Sequence, residues 1–354
     1  MRGYDVHLVG SIPLRDAREV FAVVGSKLGP RLRRIPDGET GERSQWLGWI
    51  APIFTHHPAF EPTGDMSRVH ATSDPRPLHR IRPGFAPENL QFDNLRIADH
   101  AIVSFAEFQE MKRTGILPPQ CRFQVSLANP ISVVHRFVVD EFQEAAVAAY
   151  ERAMIAEIDK MAAHIPADQL AIQLDIAQHV FKPLETGDAN RFGRSRQEML
   201  SAYGAMAIRW GNAVPPGVEL LYHLCYGNNA GRHAVEPASL EVQVDFANAL
   251  SAGIGRSIDL VHMSVPRDRD DDAYFAPLQR LDLRPETRIA LGLVHATDGV
   301  EGSRRRIATA ERYLPAFLIA TECGFGRRPP GSIPRLLDIH AELAGIGHVE
   351  SAGL

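Results

Sequence analysis

Residues 218–226 read VELLYHLCY, a short apolar run whose carboxyl-terminal half contains a histidine and a cysteine two positions apart. The length and apolar content are typical of one buried β-strand. Side chains at positions i and i+2 of a strand point to the same face. We therefore predict a buried strand whose carboxyl end carries His223 and Cys225 on one face.

Similar runs alternate with helical patterns along the whole chain. This alternation favours an α/β fold, a (β/α)8 TIM barrel in which residues 1–354 form one domain. A doubly wound sheet is the alternative, and the number of strands favours the barrel. The eight predicted strands are 6–11, 33–37, 122–128, 170–177, 218–226, 258–265, 287–295 and 316–323.

Residues 56–95 interrupt the alternation. They are rich in Pro, Asp and His and show weak periodicity. Long connections of this kind are commonly functional. We predict an excursion between barrel elements that forms a lid or an edge of the site.

Composition and charge exclude several classes of protein. The net charge is −5 and no long basic stripe is present, which argues against a nucleic-acid partner. No apolar run approaches the roughly 18–20 residues of a membrane span, and the amino terminus is too short and polar for a signal peptide. We expect a cytoplasmic protein. The three cysteines do not form a disulfide framework.

Polar side chains gather where the predicted strands end. In a TIM barrel the chemistry lies at this carboxyl face, so the sequence predicts a site there. Its candidates, in chain order, are Asp37, Glu39, Ser126, Asn129, Asp175, His223, Cys225, His262, His295 and Cys323.

The histidine and cysteine of the opening stretch suit a metal ion. An imidazole and a thiolate on one strand face can share an ion, and Cys323 would approach from across the barrel mouth. One His and two Cys form an open zinc site, because thiolate ligands favour zinc over magnesium or manganese. Packing of a buried His-x-Cys pair is the alternative. Cys121, which has no partner at metal-ligand spacing, is predicted to be structural.

Six segments then carry a resemblance: HLVGSIP, PDGETGER, QLD, YHLCY, GLVHATDG and ECGFGRR, in this order. From about residue 6 to 345 the chain resembles the C-terminal catalytic barrel of cobalamin-independent methionine synthase. It also resembles the wider zinc-dependent alkyl transferases, which include epoxyalkane:coenzyme M transferase. The resemblance implies Zn²⁺ held by His223, Cys225 and Cys323. It also implies that His295 assists proton transfer and that Asp175 contacts the substrate.

Two departures from the synthase pattern change the expected substrates. Asp175 is followed by Ile and Ala rather than Glu and Pro. The sixth predicted strand, IDLVHMSVP, offers His262, Met263 or Ser264 where the synthase supplies a glutamate to zinc. We place the chain among the short, single-barrel relatives, and expect it to transfer a methyl or alkyl group to a small thiol rather than to be a methionine synthase.

The predicted roles are as follows: catalytic, His295 and Asp175; substrate-binding, Glu39, Asp37, Ser126, Asn129 and His262; metal-binding, His223, Cys225 and Cys323. The expected partners are a small-molecule thiol and an alkyl or methyl donor. Two alternatives stay open. One is a metal-free barrel of the uroporphyrinogen decarboxylase type. The other is a non-catalytic zinc- or ligand-binding relative, with His262 as a fourth protein ligand.

Overall fold

The computed structural model describes residues 3–67, 75–227 and 233–346. Its strands are β1 (Arg34–Pro36), β2 (Phe60–Met66), β3 (Pro77–Ile81), β4 (Arg122–Ala128), β5 (Leu170–Ile176), β6 (Glu219–Leu224), β7 (Leu260–Ser264), β8 (Arg288–Val294) and β9 (Leu318–Thr321). Seven of them form one curled parallel sheet in the order β1-β4-β5-β6-β7-β8-β9. This mixed α/β architecture is consistent with a TIM-barrel-like fold.

Helices follow most of these strands. The α-helices of the described residues are α1 (Ala17–Leu28), α2 (Ala51–Thr55), α3 (Ile97–Arg113), α4 (Pro130–Phe137), α5 (Gln143–His164), α6 (Gln178–Thr186), α7 (Arg196–Asn212), α8 (Glu241–Gly253), α9 (Asp272–Phe275), α10 (Gly299–Ala310) and α11 (Ile333–Leu343). Side-chain caps fix several helix starts. Asp16 accepts from the amide of Glu19 at α1, and Ser195 accepts from the amide of Glu198 at α7.

The inner face of the sheet is layered. One residue from each of five consecutive strands forms a small apolar cluster, separate from the main core: Ala171, Leu221, Leu260, Ala290 and Leu318. Because side chains alternate between faces, the next inward positions lie two residues later, and on β5, β6 and β7 they are Gln173, His223 and His262. An apolar floor therefore lies beneath a buried polar layer.

The predicted first strand, residues 6–11, is the main correction to the sequence analysis. Only Val6 forms bridges there, one to Leu32 before β1 and one to Ile319 of β9, both parallel. The following carbonyl groups are taken by side-chain amides instead: Gln124 Nε2 donates to Leu8 O (2.9 Å), and Gln173 Nε2 donates to Val9 O (2.6 Å). These carbonyls therefore bond to neighbouring side chains rather than to a β-ladder.

The excursion at 56–95 contains more order than its sequence indicated. Strands β2 and β3 pair antiparallel within it, and residues 68–74 of the predicted segment lie outside the described residues. His79 of β3 bridges Val138 after α4, and its Nδ1 lies 3.0 Å from the carbonyl oxygen of Phe137. The hairpin is thus anchored beside the helix that follows β4.

The other seven predicted strands all coincide with strands of the sheet, and their ends differ by at most two residues. No helix of the described residues is both long and apolar enough to cross a membrane.

The buried arginine Arg306 fastens α10 to the sheet. Arg306 is nearly inaccessible, and its guanidinium contacts both carboxylate oxygens of Asp298 at 2.6 and 2.9 Å. It also donates to the carbonyl oxygens of Leu293 and Arg267. We expect Arg306→Met to lower the free energy of unfolding by about 3 kcal/mol, because it leaves buried acceptors without a donor. Urea denaturation measures this.

The adjacent Arg305 provides the control. It forms an exposed pair with Asp270 at 3.1 Å, and exposed pairs contribute at most about 1 kcal/mol. Equal losses in Arg305→Met and Arg306→Met would contradict the importance of the buried Arg306 side chain.

Candidate metal centre and active site

Three side chains meet at the carboxyl ends of β6 and β9. His223 is in β6, Cys225 follows that strand directly, and Cys323 follows β9 by two residues. Their ligand atoms all lie within 4.8 Å of one another. His223 and Cys225 are buried, while Cys323 is partly exposed. The structure thus brings together the three predicted metal ligands.

A glycine allows the last strand to approach. A Cβ atom on Gly292 of β8 would lie 2.7 Å from the Cα of Glu322 and 3.2 Å from the carbonyl oxygen of Thr321. The β8–β9 register also shifts between Leu291 and Val294. A larger residue at 292 would displace the backbone of the residue immediately before Cys323.

The three side chains of this cluster change one another's pKa values. A hydrogen bond from Cys225 is the main reason that the pKa of Cys323 lies well below its ordinary value; burial opposes this effect, and a hydrogen bond from His223 adds to it. The same hydrogen bond, with burial, raises the pKa of Cys225 well above its ordinary value. Burial lowers the pKa of His223, but the bond to Cys323 and the charge of Asp175 outweigh burial and raise it. Both hydrogen bonds therefore stabilise the ionised form of the Cys323 thiol.

His223, Cys225 and Cys323 form part of the wall of a cavity of about 900 Å³. Glu39 and Asp175 line the same cavity. Hairpin residues Ser67, Arg76 and Leu78 line it as well, so the excursion forms one edge of the site. The remaining charged and imidazole side chains of the lining are His135, Arg136, Asp140, His179 and Arg327.

Glu39 reaches the cavity through an unusual backbone. Its φ is 50°, in the left-handed region, and Gly38 before it has φ 81°. The Ser11 hydroxyl donates to its carboxylate. Burial raises the pKa of Glu39 to about 7; the Ser11 hydrogen bond opposes this rise and the nearby charge of Asp175 adds to it. Glu39 therefore exchanges a proton near neutral pH.

Asp175 joins the cavity to the buried polar layer. It pairs in register with His223 on the neighbouring strand. Burial raises its pKa to about 6, while the charge of His223 and a hydrogen bond from Gln173 Nε2 (2.9 Å) lower it. Gln173 in turn lies 3.0 Å from His7 Nε2.

Five predicted site residues lie outside the lining of this cavity and have other partners. Asp37 pairs with Arg43 at 2.6 Å. Asn129 caps α4 by accepting from the Ser132 amide at 2.9 Å. Ser126 donates to the carbonyl oxygen of Val9 at 3.1 Å, and both Asp37 and Ser126 line a cavity of about 40 Å³ beside Glu39.

The fourth predicted site residue outside the cavity lining is His295. It is buried, and its Nε2 lies 3.0 Å from the carbonyl oxygen of Val265. Burial lowers its pKa to about 4. Its Nδ1 lies 3.8 Å from the Glu322 carboxylate, which connects it to the residue before Cys323.

The fifth is His262, which lies on β7 directly opposite His223 and is fully buried. Burial lowers its pKa well below the ordinary value. It belongs to the layer beneath the cavity, since it does not line the cavity itself.

Sequence reasoning missed the cationic part of the cavity. Arg76 lies in the excursion, and His135 and Arg136 end a short helix, so no common spacing connects them. The only available signal was the pairing of His135 and Arg136 soon after a predicted strand end.

Comparison with solved structures agrees with the sheet topology. A proposed vitamin-B12-independent methionine synthase from Listeria monocytogenes superimposes with a TM-score of 0.58 at 14% identity, over 98% of each chain. A B12-independent methionine synthase from Shewanella sp. W3-18-1, in complex with selenomethionine, has a TM-score of 0.58 at 13% identity, over 97% of each chain. The chain has the fold of these proteins. No family model and no curated protein matches its sequence.

The raised pKa of Glu39 predicts a pH-dependent stability cost. Its folded pKa of about 7 exceeds the ordinary 4.5, so burying the ionised carboxylate costs progressively more as pH rises between these two values. Glu39→Gln removes that cost. We expect the substitution to be about 2–3 kcal/mol more stabilising at pH 8 than at pH 5, measured by urea denaturation of the metal-free chain.

Exposed Glu301 offers the matched control. Glu301→Gln is expected to change the free energy of unfolding equally at both pH values. A Glu39→Gln effect that is the same at pH 5 and pH 8 would show that this carboxyl group has no raised pKa.

Proposed function

We propose that this protein is a zinc-dependent transferase that moves a methyl or alkyl group to a small thiol. The observation that carries the proposal is the His223, Cys225 and Cys323 cluster, set in the wall of a large cavity. The fold shared with methionine synthase structures supports group transfer as the class of reaction. The cytoplasm is its proposed location.

The donor set fits zinc. Tetrahedral zinc places its nitrogen and sulfur ligands roughly 3.5–3.8 Å from one another, and the three ligand atoms are already within 4.8 Å. Two sulfur ligands favour zinc over magnesium or manganese. His223, Cys225 and Cys323 would hold the ion.

Within the described residues, three side chains make up the candidate metal-binding group. Catalytic zinc sites also have three protein ligands, with the fourth position left to water or substrate. His262, the candidate for a fourth ligand, contacts His223 and the backbone of β9 with its two ring nitrogens. This favours a site with a place for substrate over the closed, non-catalytic alternative. A bound zinc ion supplies a positive charge that keeps a neighbouring substrate thiol ionised at neutral pH.

The cavity residues supply binding and proton transfer. Glu39, with a pKa of about 7, can give a proton to the nitrogen or oxygen that leaves when the alkyl group is transferred. Asp175 faces the same space and would bind a cationic part of the acceptor. His295, predicted as the proton donor, lies behind the wall and is the second candidate for that role.

The cavity is large enough for both substrates. Its volume of about 900 Å³ is near the upper end of ordinary ligand sites. We infer that the sheet closes into a barrel through the bridges of Val6 to Leu32 and Ile319, and that this cavity is the barrel mouth.

Metal content tests the proposal. Purified wild-type chain is expected to carry about one zinc ion by elemental analysis, and Cys225→Ser and Cys323→Ser are expected to lose it. Cys121→Ser is the control: that thiol is buried outside the cluster, and burial raises its pKa to about 12. Zinc retained by both cluster variants would refute the site.

Thiol alkylation provides the second readout. Chelator treatment is expected to abolish alkyl transfer to an added small thiol, followed by mass spectrometry of the thiol, and zinc is expected to restore it. Transfer by the zinc-free protein would exclude the proposed mechanism.

A further inference from the structure

His262 makes two hydrogen bonds that span the inside of the sheet. Its Nδ1 lies 2.7 Å from Nδ1 of His223. Its Nε2 lies 3.0 Å from the carbonyl oxygen of Thr321, in β9. The two rings are tilted by 41°, with centroids 4.8 Å apart. One buried imidazole therefore joins the two strands that carry the metal ligands, although its own strand carries none.

The contact of His262 with the Thr321 carbonyl determines which ring is the donor in the contact between His223 and His262. A carbonyl oxygen can only accept, so Nε2 of His262 carries a proton. A neutral imidazole has one N–H, and Nδ1 of His262 is then an acceptor. In the 2.7 Å contact the proton must belong to Nδ1 of His223.

The opposite direction requires His262 to be a cation. Its side chain is completely buried, next to the imidazoles of His223 and His7. An imidazolium there would be desolvated beside two other rings, which is costly. The neutral arrangement is therefore the favoured one.

We propose that His262 is a positioning residue that holds the proton of His223 on Nδ1 and so presents Nε2 of His223 to the metal ion. This inference rests on the proposed function, since it assigns a role toward zinc. It also replaces the prediction that His262 is a substrate contact or fourth ligand. Partners that orient a metal-binding histidine in this way commonly affect metal affinity 10- to 100-fold, as an order of magnitude.

A second residue of β7 also connects the two strands that lead to the metal centre. Ser264, two residues after His262, contacts the carbonyl oxygens of Leu224 (2.9 Å) and Glu322 (2.7 Å). These are the residues immediately before Cys225 and Cys323. Strand β7 thus braces both halves of the metal centre, at the level of the histidine and at the level of the cysteines.

The test compares two nearly isosteric substitutions. His262→Asn keeps an oxygen that can accept near the position of Nδ1, while His262→Leu has the same shape without an acceptor. We expect the zinc dissociation constant, measured by competition with a chromophoric chelator, to rise about 10- to 100-fold in the Leu variant and only a few-fold in the Asn variant. His79→Leu is the control, because it removes a buried histidine away from the metal centre.

NMR spectroscopy can observe the tautomer of His223 directly. In ¹⁵N-histidine-labelled, zinc-loaded wild type, long-range ¹H–¹⁵N spectra are expected to show His223 with a protonated Nδ1 and a metal-bound Nε2. This measurement decides the matter even if the Leu variant does not fold. Coordination through Nδ1, or zinc affinities of Leu and Asn variants that both equal that of wild type, would overturn the inference alone. A wild-type chain that takes up no zinc would overturn the proposed function as well.

Discussion

A polar side chain on the inner face of a curled sheet must find its hydrogen-bond partner across that interior, and this constraint organises the whole molecule. Gln173 satisfies it by donating to Val9 O, to Ser126 and to Asp175. Ser264 finds its partners in the carbonyl oxygens of Leu224, at the end of β6, and Glu322, just after β9. The contacts of Gln173 with Val9 and of Ser264 with Glu322 connect segments that are not adjacent in the sheet, so they hold its curvature. The apolar floor below shields them from water, and the residues above them face the cavity.

Much of the fold could be read from the sequence because parallel strands buried on both faces are continuous apolar runs. The prediction 122–128 coincides with β4, and 170–177 exceeds β5 by a single residue. The first run failed because side-chain amides, which no local pattern reveals, take its carbonyl groups. The β2–β3 hairpin was missed because β2, FEPTGDM, contains residues that rarely occur in strands.

The site was predictable where the chemistry depends on residue type and strand position. His223, Cys225 and Cys323 meet as expected. Position at a strand end did not distinguish residues that face the cavity from those that hold the backbone. Asn129 caps a helix and Asp37 pairs with Arg43, and both roles depend on neighbours that the sequence does not identify. The roles of Glu39 and His262 depend on burial and on contacts across the sheet in the same way.

The two cysteines of the cluster, Cys225 and Cys323, are about a hundred residues apart in the chain. During synthesis the ribosome releases the His-x-Cys pair long before the last strand exists. The third side chain of the cluster, Cys323, arrives only when β9 has emerged and packed beside Gly292. Loading of the proposed zinc ion would therefore be a late event of maturation, and its acquisition would report that the final strand has taken its place.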